Sequence, residues 1–285
     1  MKNEGYEKTK NKRKKKHIFL WLFFTGLVVS VLTGCGGNAL EGIADDTSYV
    51  AQIEEARIAL DQEDYARAHA ILVALNSERP NDPLILRYLS NASAGLVGLN
   101  TFDLLETMSS LEESGSEGDI DMIGLTLGDD EGIITQEQIA SKSEGIATAI
   151  ELLEQIENPT DDEIVQEGVL SMNHAVLTIA QIITLDTDAD TIELTEEGLN
   201  EIYPEGNADL SDVQENPTAQ AALVELSQDI TRIAESIDTI ETVYAEDSEN
   251  DLSDNFSEFK AEIDPDDDNT ITWDELQAYI NTRTD

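Results

Sequence analysis

The sequence contains a single cysteine, three histidines and few aromatic residues, and each shortage excludes a class of protein. One Cys cannot form a disulfide within the chain, and one Cys with three His gives too few ligands for a typical zinc cluster. Aromatic residues make up only 5% of the chain, so large aromatic cores and stacking platforms are not expected. Hydrophobic residues still make up 40%, which allows a buried core of helical type.

Positive charge is also scarce, and it is unevenly distributed. The chain has 16 Lys and Arg against 61 Asp and Glu, which gives a formal charge of -45. Half of these cations lie in the first 34 residues, and the only lysines beyond them are Lys142 and Lys260. Nucleic-acid binding is excluded, because so acidic a chain repels polyanions over most of its length.

The first 34 residues have the order of a secretory signal. A basic segment that ends at His17 is followed by an uncharged apolar run, residues 18–32, and then by small residues. This order is typical of an export signal, and the run is shorter than the about 20 residues of a spanning helix. The alternative is an uncleaved anchor with an unmodified thiol.

The end of this segment, Leu32-Thr33-Gly34-Cys35, resembles the lipobox of bacterial lipoproteins. The resemblance implies cleavage before Cys35 and modification of Cys35 by lipid, including palmitate, so that the mature protein is tethered to a membrane of the cell envelope. Three acyl chains are enough to hold it, since each buried CH₂ contributes about 0.8 kcal/mol. Gly36 does not resemble an inner-membrane retention signal, so we expect the periplasmic face of the outer membrane if the host is Gram-negative.

Beyond a short polar tether at residues 35–47, the spacing of apolar residues predicts an all-α fold. Helices are predicted at 49–60 and 65–75, separated by a tight acidic turn, and a third is predicted at 84–96. No strand pattern longer than four or five residues competes with this interpretation. The first part of the chain is therefore predicted to be a helical hairpin.

This hairpin resembles a tetratricopeptide repeat. Ala56 and Ala68 stand where the repeat has small residues, and Pro80 closes a period of about 34 residues. The next period departs from the pattern, with Phe102 at its second small position. The resemblance, which we assign to residues 48–113, implies a helical face that binds a protein partner. One repeat cannot bury its own face, so other helices must pack against it.

The middle of the chain is predicted to be a helical bundle preceded by a linker. Residues 114–133 are rich in Gly, Ser and acidic residues, which is typical of a linker. Residues 134–250 contain three long helical patterns, at 136–155, 161–185 and 218–245. An Asn-Pro-Thr sequence precedes the second and the third pattern, and it indicates a stop followed by a new N-cap.

Residues 251–285 carry the sharpest chemical pattern, an acidic loop of 12 residues between two amphipathic segments. The pattern resembles an EF-hand, whose loop provides oxygen ligands for Ca²⁺ from positions 1, 3, 5, 7, 9 and 12. The resemblance implies Ca²⁺ as the cofactor and the following ligands: Asp264, Asp266, Asp268, Thr270, Thr272 and Glu275.

Two further loop positions agree with this interpretation. Asn269 stands at position 6, where Gly is usual, and Asn tolerates the left-handed conformation better than most residues. Ile271 occupies the apolar eighth position, whose backbone normally pairs with a partner loop. The alternative is an acidic run without a metal, but chance acidity does not supply Ile271, the terminal Glu275 or the amphipathic flanks.

A second acidic loop, residues 186–197, follows a predicted helix, and EF-hands usually work in pairs. Its predicted ligands form a weaker set: Asp186, Asp188, Asp190 and Glu197. Ile192 arrives one residue early, and if this loop lacks one position of the motif, Ile192 takes the eighth place and Glu196 the twelfth. We expect either a weaker Ca²⁺ site, paired with the C-terminal loop, or a solvated turn. A fainter trace at 129–138 lacks the final acid and is expected to be only a loop.

Enzyme chemistry has little support. His69 and His174 lie in predicted helices, and no Cys nucleophile, Ser/His/Asp arrangement or metal-binding His spacing is evident. We therefore expect a protein that is not an enzyme, with each His at the surface or in the core. A hydrolase would need an activity that depends on one His and survives loss of the acidic loop residues.

Two functions agree with these observations. The first is a lipid-anchored, calcium-binding helical scaffold or adaptor of the bacterial cell envelope, whose repeat-like face binds a protein. The second is an accessory lipoprotein of an envelope transporter or assembly machine, which binds a protein or a small ligand and for which calcium is incidental. A large gain of stability on adding Ca²⁺ favours the first, and no response favours the second.

Overall fold

The structure is a computed structural model that describes residues 48–100, 133–193, 196–244 and 251–284. Cys35, the predicted N-terminal signal and most of the predicted linker lie outside these residues. The described residues contain nine α-helices, two short 3₁₀ turns and one two-stranded sheet. The predicted all-α fold is therefore confirmed.

The first three helices form the predicted hairpins. They are α1 (Tyr49–Asp61), α2 (Tyr65–Glu78) and α3 (Pro83–Leu96), and each packs on the next. The Asp64 carboxylate caps α2 by accepting a hydrogen bond from the Arg67 backbone N–H at 3.2 Å. A capped start and a short polar turn between α1 and α2 are the features that the sequence predicted here.

Small side chains let these helices approach closely. Ala56 and Ala68, the two small positions of the predicted repeat, are completely buried. Gly95 of α3 lies against the ring of Tyr65, so closely that a Cβ at this position would overlap the ring. The contact between α2 and α3 therefore depends on the absence of a side chain at residue 95.

Three long helices form the body of the bundle. They are α4 (Gln136–Glu154), α5 (Asp161–Thr187) and α7 (Pro217–Tyr244), and the short α6 (Glu196–Ile202) lies between the last two in sequence. The Thr135 hydroxyl accepts from the Gln138 N–H, and the Gln138 side chain accepts from the Thr135 N–H, which completes a capping box at the start of α4. The three predicted long helices are confirmed to within two residues.

Helix α5 is the core of the bundle. It packs most extensively on α7 and also on α4, and its side chains are buried on all sides over residues 168–180. Its length and hydropathy would allow it to cross a membrane, but 83% of its most apolar window is buried inside the protein. A helix of high hydropathy that is buried all round is expected at the centre of a large bundle.

The sheet joins two acidic segments in a way that the sequence analysis did not predict. Strand β1 (Ile133–Thr135) pairs antiparallel with β2 (Thr191–Glu193), and the buried Ile134 lies opposite the buried Ile192. The expected pairing of loop 186–197 with the C-terminal loop is therefore wrong. The fainter trace supplies the partner strand instead of being only a loop, because pairing there buries both isoleucines.

The last two helices form a C-terminal helix–loop–helix. They are α8 (Asp251–Ile263) and α9 (Trp273–Thr282), and α8 packs on the long helix α7. Phe259 and Tyr279 meet edge to face, with ring centroids 5.8 Å apart. Apolar side chains from both helices and from the loop are buried in the core: Ile263, Ile271, Leu276 and Ile280.

Replacing Gly95 by Ala tests the close packing of α2 and α3. In a helix interior, Gly→Ala normally stabilises by about 0.5–1 kcal/mol. Here we expect the opposite sign, a loss of about 1–3 kcal/mol, because the new methyl group must displace the Tyr65 ring. Urea unfolding measures the change. Tyr65→Leu in the same chain should recover part of the loss, and a Gly95→Ala variant as stable as the wild type would contradict the packing described.

Candidate metal centre

Three carboxylates converge in the loop between α8 and α9. The ligand atoms of Asp264, Asp266 and Asp268 all lie within 4.8 Å of one another. Two oxygens on opposite sides of a Ca²⁺ ion, each about 2.4 Å from it, are about 4.8 Å apart. Three oxygens within this distance can reach one ion, so this group can hold a metal ion. The structure thus brings together the first three predicted ligands, Asp264, Asp266 and Asp268.

Asp264 is the buried and most firmly held member of the group. Its residue surface is 1% exposed, and its carboxylate accepts hydrogen bonds from the backbone N–H groups of Asp268, at 3.2 Å, and Asn269, at 3.0 Å. Lys260 Nζ lies 3.0 Å from Asp264 Oδ2. Burial raises the pKa of Asp264, but the Lys260 ammonium and the two N–H groups outweigh it, and the net pKa is lowered.

Asp266 and Asp268 are exposed, and their negative charges repel each other within the group. The pKa of Asp266 is raised by desolvation and by the negative charges of Asp268, Glu275 and Asp264. The Asp268 carboxylate accepts a hydrogen bond from the Thr270 N–H at 2.8 Å, so the backbone orients it from the C-terminal side. Like charges so close together favour a bound cation, because a cation removes their mutual repulsion.

The loop turns through two left-handed residues. Asp267 and Asn269 both have a φ of 59°. The expectation that Asn replaces Gly at position 6 by adopting the left-handed conformation is therefore confirmed. Asn269 Oδ1 is buried and has no hydrogen-bond partner among the residues that the structure describes. The loop thus contains one buried acceptor whose hydrogen-bonding capacity is unused.

Thr272 and Glu275, the last two predicted ligands, form the N-terminal cap of α9. Glu275 Oε2 accepts from the Thr272 N–H at 2.8 Å and from its hydroxyl at 2.7 Å. The Thr272 hydroxyl oxygen accepts in turn from the Glu275 N–H at 3.3 Å. This capping box places Glu275 one turn into α9, and its carboxylate is not part of the group of three.

The loop and α9 are attached to the rest of the bundle by hydrogen bonds from backbone N–H groups to side-chain oxygens. The Ile271 N–H donates to the Ser227 hydroxyl of α7 at 2.9 Å, where a partner loop was expected. Two side chains of α9 accept from the segment that precedes α7: Asn281 Oδ1 from the Ala208 N–H at 2.7 Å, and Gln277 Oε1 from the Leu210 N–H at 3.2 Å. The bundle, instead of a second acidic loop, therefore fixes the orientation of this helix–loop–helix.

The second predicted loop has a different geometry. Helix α5 continues to Thr187, so Asp186 lies in its last turn, and Asp188 ends the helix with a φ of 52°. The Tyr203 hydroxyl donates to Asp186 Oδ2 at 2.7 Å. Burial raises the pKa of Asp186 despite this hydrogen bond, and the charges of Asp212 and Asp209 raise it further.

The acidic side chains of residues 186–190 do not converge as closely as those of the C-terminal loop. Within the described parts of the chain, no second group of three His, Cys, Asp or Glu residues places its ligand atoms within 4.8 Å. Asp186, Asp188 and Asp190 therefore do not converge as a group of three, and the Glu197 side chain lies outside the described residues. A metal site at residues 186–197 stays a prediction.

The sequence analysis missed a buried polar network that links three helices. Ser143 Oγ of α4 lies 3.0 Å from His174 Nε2 of α5, and His174 Nδ1 lies 2.7 Å from Asp229 Oδ2 of α7. Arg232 donates to Asp229 Oδ1 at 3.1 Å and also to Glu154 of α4. Burial raises the pKa of Asp229, and the His174 and Arg232 partners lower it only in part.

The order Ser, His, Asp is that of an acyl-transfer triad, but Ser143 lies inside a helix. The N–H groups of a helix interior bond to the carbonyl four residues earlier and do not point to a reacting oxyanion. Ser143 is also buried, since only 8% of its surface is exposed to solvent. The arrangement therefore satisfies buried polar groups across the bundle. The absence of enzyme activity stays a prediction.

The chain was compared with protein-family models, with curated proteins and with solved structures, and none of these comparisons found a match. Any function must therefore be argued from the geometry of the residues themselves.

Asp229→Ala tests whether this network holds the bundle together. The change leaves the His174 ring and the Arg232 guanidinium without their buried partner, so we expect a loss of about 3–5 kcal/mol in the free energy of unfolding. Asp238→Ala is the matched control, because Asp238 lies on the same helix and is exposed. Its urea midpoint should equal that of the wild type. Equal midpoints for the two variants would contradict the role assigned to Asp229.

Proposed function

We propose that this protein is a lipid-anchored, calcium-binding helical scaffold of the bacterial cell envelope. The observation that carries the proposal is the convergence of Asp264, Asp266 and Asp268 within 4.8 Å in a loop that joins two helices. The EF-hand spacing of the sequence places Thr270, Thr272 and Glu275 at the remaining ligand positions.

The chemistry of the donors supports Ca²⁺ over a transition metal. Every predicted ligand is an oxygen, which hard cations prefer, whereas zinc sites use mainly Cys and His. Glu275 would leave its capping hydrogen bonds, or share its carboxylate between cap and ion. Losing both bonds costs about 2 kcal/mol, which the attraction between a divalent ion and several carboxylates would offset.

The net negative charge of the chain also favours the binding of a divalent cation. A formal charge of -45 attracts divalent cations to the whole surface, although salt screens this attraction. Any measurement of calcium binding must therefore separate a coordinated ion from a diffuse ion atmosphere. A loop carboxylate that is not a predicted ligand provides this separation.

Calorimetric titration with CaCl₂ tests the site in the full-length, chelator-treated protein held in a non-ionic detergent. We expect one site with a Kd of about 10⁻⁴ to 10⁻³ M, which is typical of extracellular modules. Glu275→Gln should weaken it about tenfold or more, since it removes the charge of the predicted bidentate ligand. Asp274→Asn makes the same charge change next to it at an exposed, non-ligand position and should leave the Kd within about twofold.

Two results would contradict the calcium assignment. One is the absence of uptake at millimolar CaCl₂, and the other is an equal loss of affinity in Glu275→Gln and Asp274→Asn, which would indicate a diffuse ion atmosphere. A weaker site that persists in Glu275→Gln would support binding at residues 186–197 as well. A parallel titration with MgCl₂ tests selectivity, because Mg²⁺ demands a tighter octahedral site.

The membrane anchor is proposed from the sequence pattern around Cys35. Cells that express the full-length protein with a labelled fatty acid should incorporate the label, and the protein should sediment with membranes. Cys35→Ala should lose the label because it removes the only thiol of the chain. Ser30→Ala, a small change inside the apolar run, serves as the control and should keep it. Equal labelling of wild type and Cys35→Ala would exclude lipidation at this residue.

A protein partner on the repeat-like hairpin completes the proposal. The outer surfaces of α1 and α2 expose three aliphatic side chains, Val50, Ile58 and Val73. Exposed aliphatic residues on a helical hairpin suit a partner helix or an extended segment. The structure of this region supports a scaffold, and its partner would be recognised by apolar contacts in a strongly acidic surrounding.

A further inference from the structure

A positively charged side chain, that of Lys260, already contacts the candidate metal-binding loop. Lys260 lies on α8 one turn before Asp264, and its Nζ is 3.0 Å from Asp264 Oδ2. The same Nζ also contacts Asp267 Oδ1. The Lys260 side chain is only 12% exposed, so its ammonium group is held against the loop and does not extend into solvent.

The position of this ammonium group has an electrostatic cause. Asp264, Asp266, Asp268 and Glu275 place four formal negative charges in and beside the loop, and they repel one another when no ion is present. Lys260 Nζ contacts the carboxylates of both Asp264 and Asp267, so its positive charge lies beside these negative charges. The ammonium group therefore relieves part of the repulsion.

A divalent ion bound to Asp264 would meet this ammonium group at close range. An ion coordinated by an Asp264 oxygen at about 2.4 Å lies within a few ångströms of Nζ, and the two positive charges repel. The hydrogen bond from Nζ also occupies Oδ2 of the predicted first ligand. Lys260 can move away from Asp264 without losing every partner, because Asp267, whose side chain is 85% exposed, is not a predicted ligand.

We propose that Lys260 is a tethered competitor of the metal ion, which orders the loop when no ion is bound and lowers its affinity for Ca²⁺. This inference rests on the proposed function, since it names how affinity at that same site is set. The competing species are an ammonium group of the chain and a free divalent cation. Removing the ammonium should therefore tighten Ca²⁺ binding while it loosens the metal-free loop.

Lys260→Met tests the proposal because it keeps an unbranched apolar side chain as long as the aliphatic part of Lys and removes the ammonium group with its charge. In calorimetric titrations of the full-length protein with CaCl₂, at about 0.15 M salt, we expect the Kd to fall about tenfold. Lys142→Met, at the only other Lys beyond the N-terminal segment, makes the same change in net charge on α4. It should change the Kd less than about twofold.

A second measurement compares the thermal stability of the metal-free and the calcium-bound protein. The rise in thermal midpoint from chelator to saturating CaCl₂ should be larger for Lys260→Met than for the wild type, because its metal-free state is weakened and its bound state strengthened. Lys260→Arg retains the charge and should resemble the wild type in both measurements.

Several results would overturn the inference. They are an unchanged or weaker Kd in Lys260→Met, a change equal to that of Lys142→Met, or an unchanged rise in midpoint. Each of these presumes that the wild type binds Ca²⁺. If the wild type, Lys260→Met and Lys142→Met all fail to take up Ca²⁺, then the proposed function itself has failed.

Discussion

Positive charge is the scarce component of this chain, and its placement determines where carboxylates can come together. Of the few Lys and Arg residues beyond the N-terminal segment, several contact two or more acidic side chains instead of a single one. Arg57 contacts Glu54 and Asp61, and Arg87 lies near Asp162 and Glu163. The same arrangement recurs at Arg232 and at Lys260, where the acidic side chains include buried ones.

The environment decides how much each of these cations contributes. The ion pairs of Arg57 are exposed, where water and salt screen them and leave little net stabilisation. Asp229 and Asp264 have fully buried carboxylates, so the loss of their cationic partners would leave a buried charge uncompensated. Arg232 therefore helps to hold the bundle together, and Lys260 helps to hold the loop. A chain of high negative charge can bury these two carboxylates because it supplies each with a cation.

Much of the fold could be predicted from the sequence because helix starts are encoded locally. Thr135 with Gln138, and Thr160 with Glu163, are separated by three residues, and the spacing alone marks the start of each helix. The convergence of the first three predicted metal ligands follows in the same way from residues two apart in one loop. The left-handed conformation of Asn269 could also be predicted, because few other side chains tolerate it.

Contacts between residues distant in sequence were not predictable in this way. Ile134 and Ile192 occur in strands of three residues, too short for a period-two pattern to stand out. Ser143, His174 and Asp229 come from three helices, and no local spacing joins them. One signal was present: His174 follows Asn173 in the middle of an otherwise apolar helix, and polar groups at a buried position require partners. The sequence alone could not identify those partners.

The attachment of the loop to α7 determines what a bound ion can do. The Ile271 N–H bonds to Ser227, which lies two residues before Asp229 on the same helix, so the loop and the buried network share one support. A calcium sensor needs a helix pair that opens to expose a groove. Here α8 packs on α7, and α9 is bonded to the segment before α7, so opening would break contacts on both sides. An ion held in this loop would therefore stabilise an existing arrangement, as the proposed scaffold function requires and a calcium switch does not.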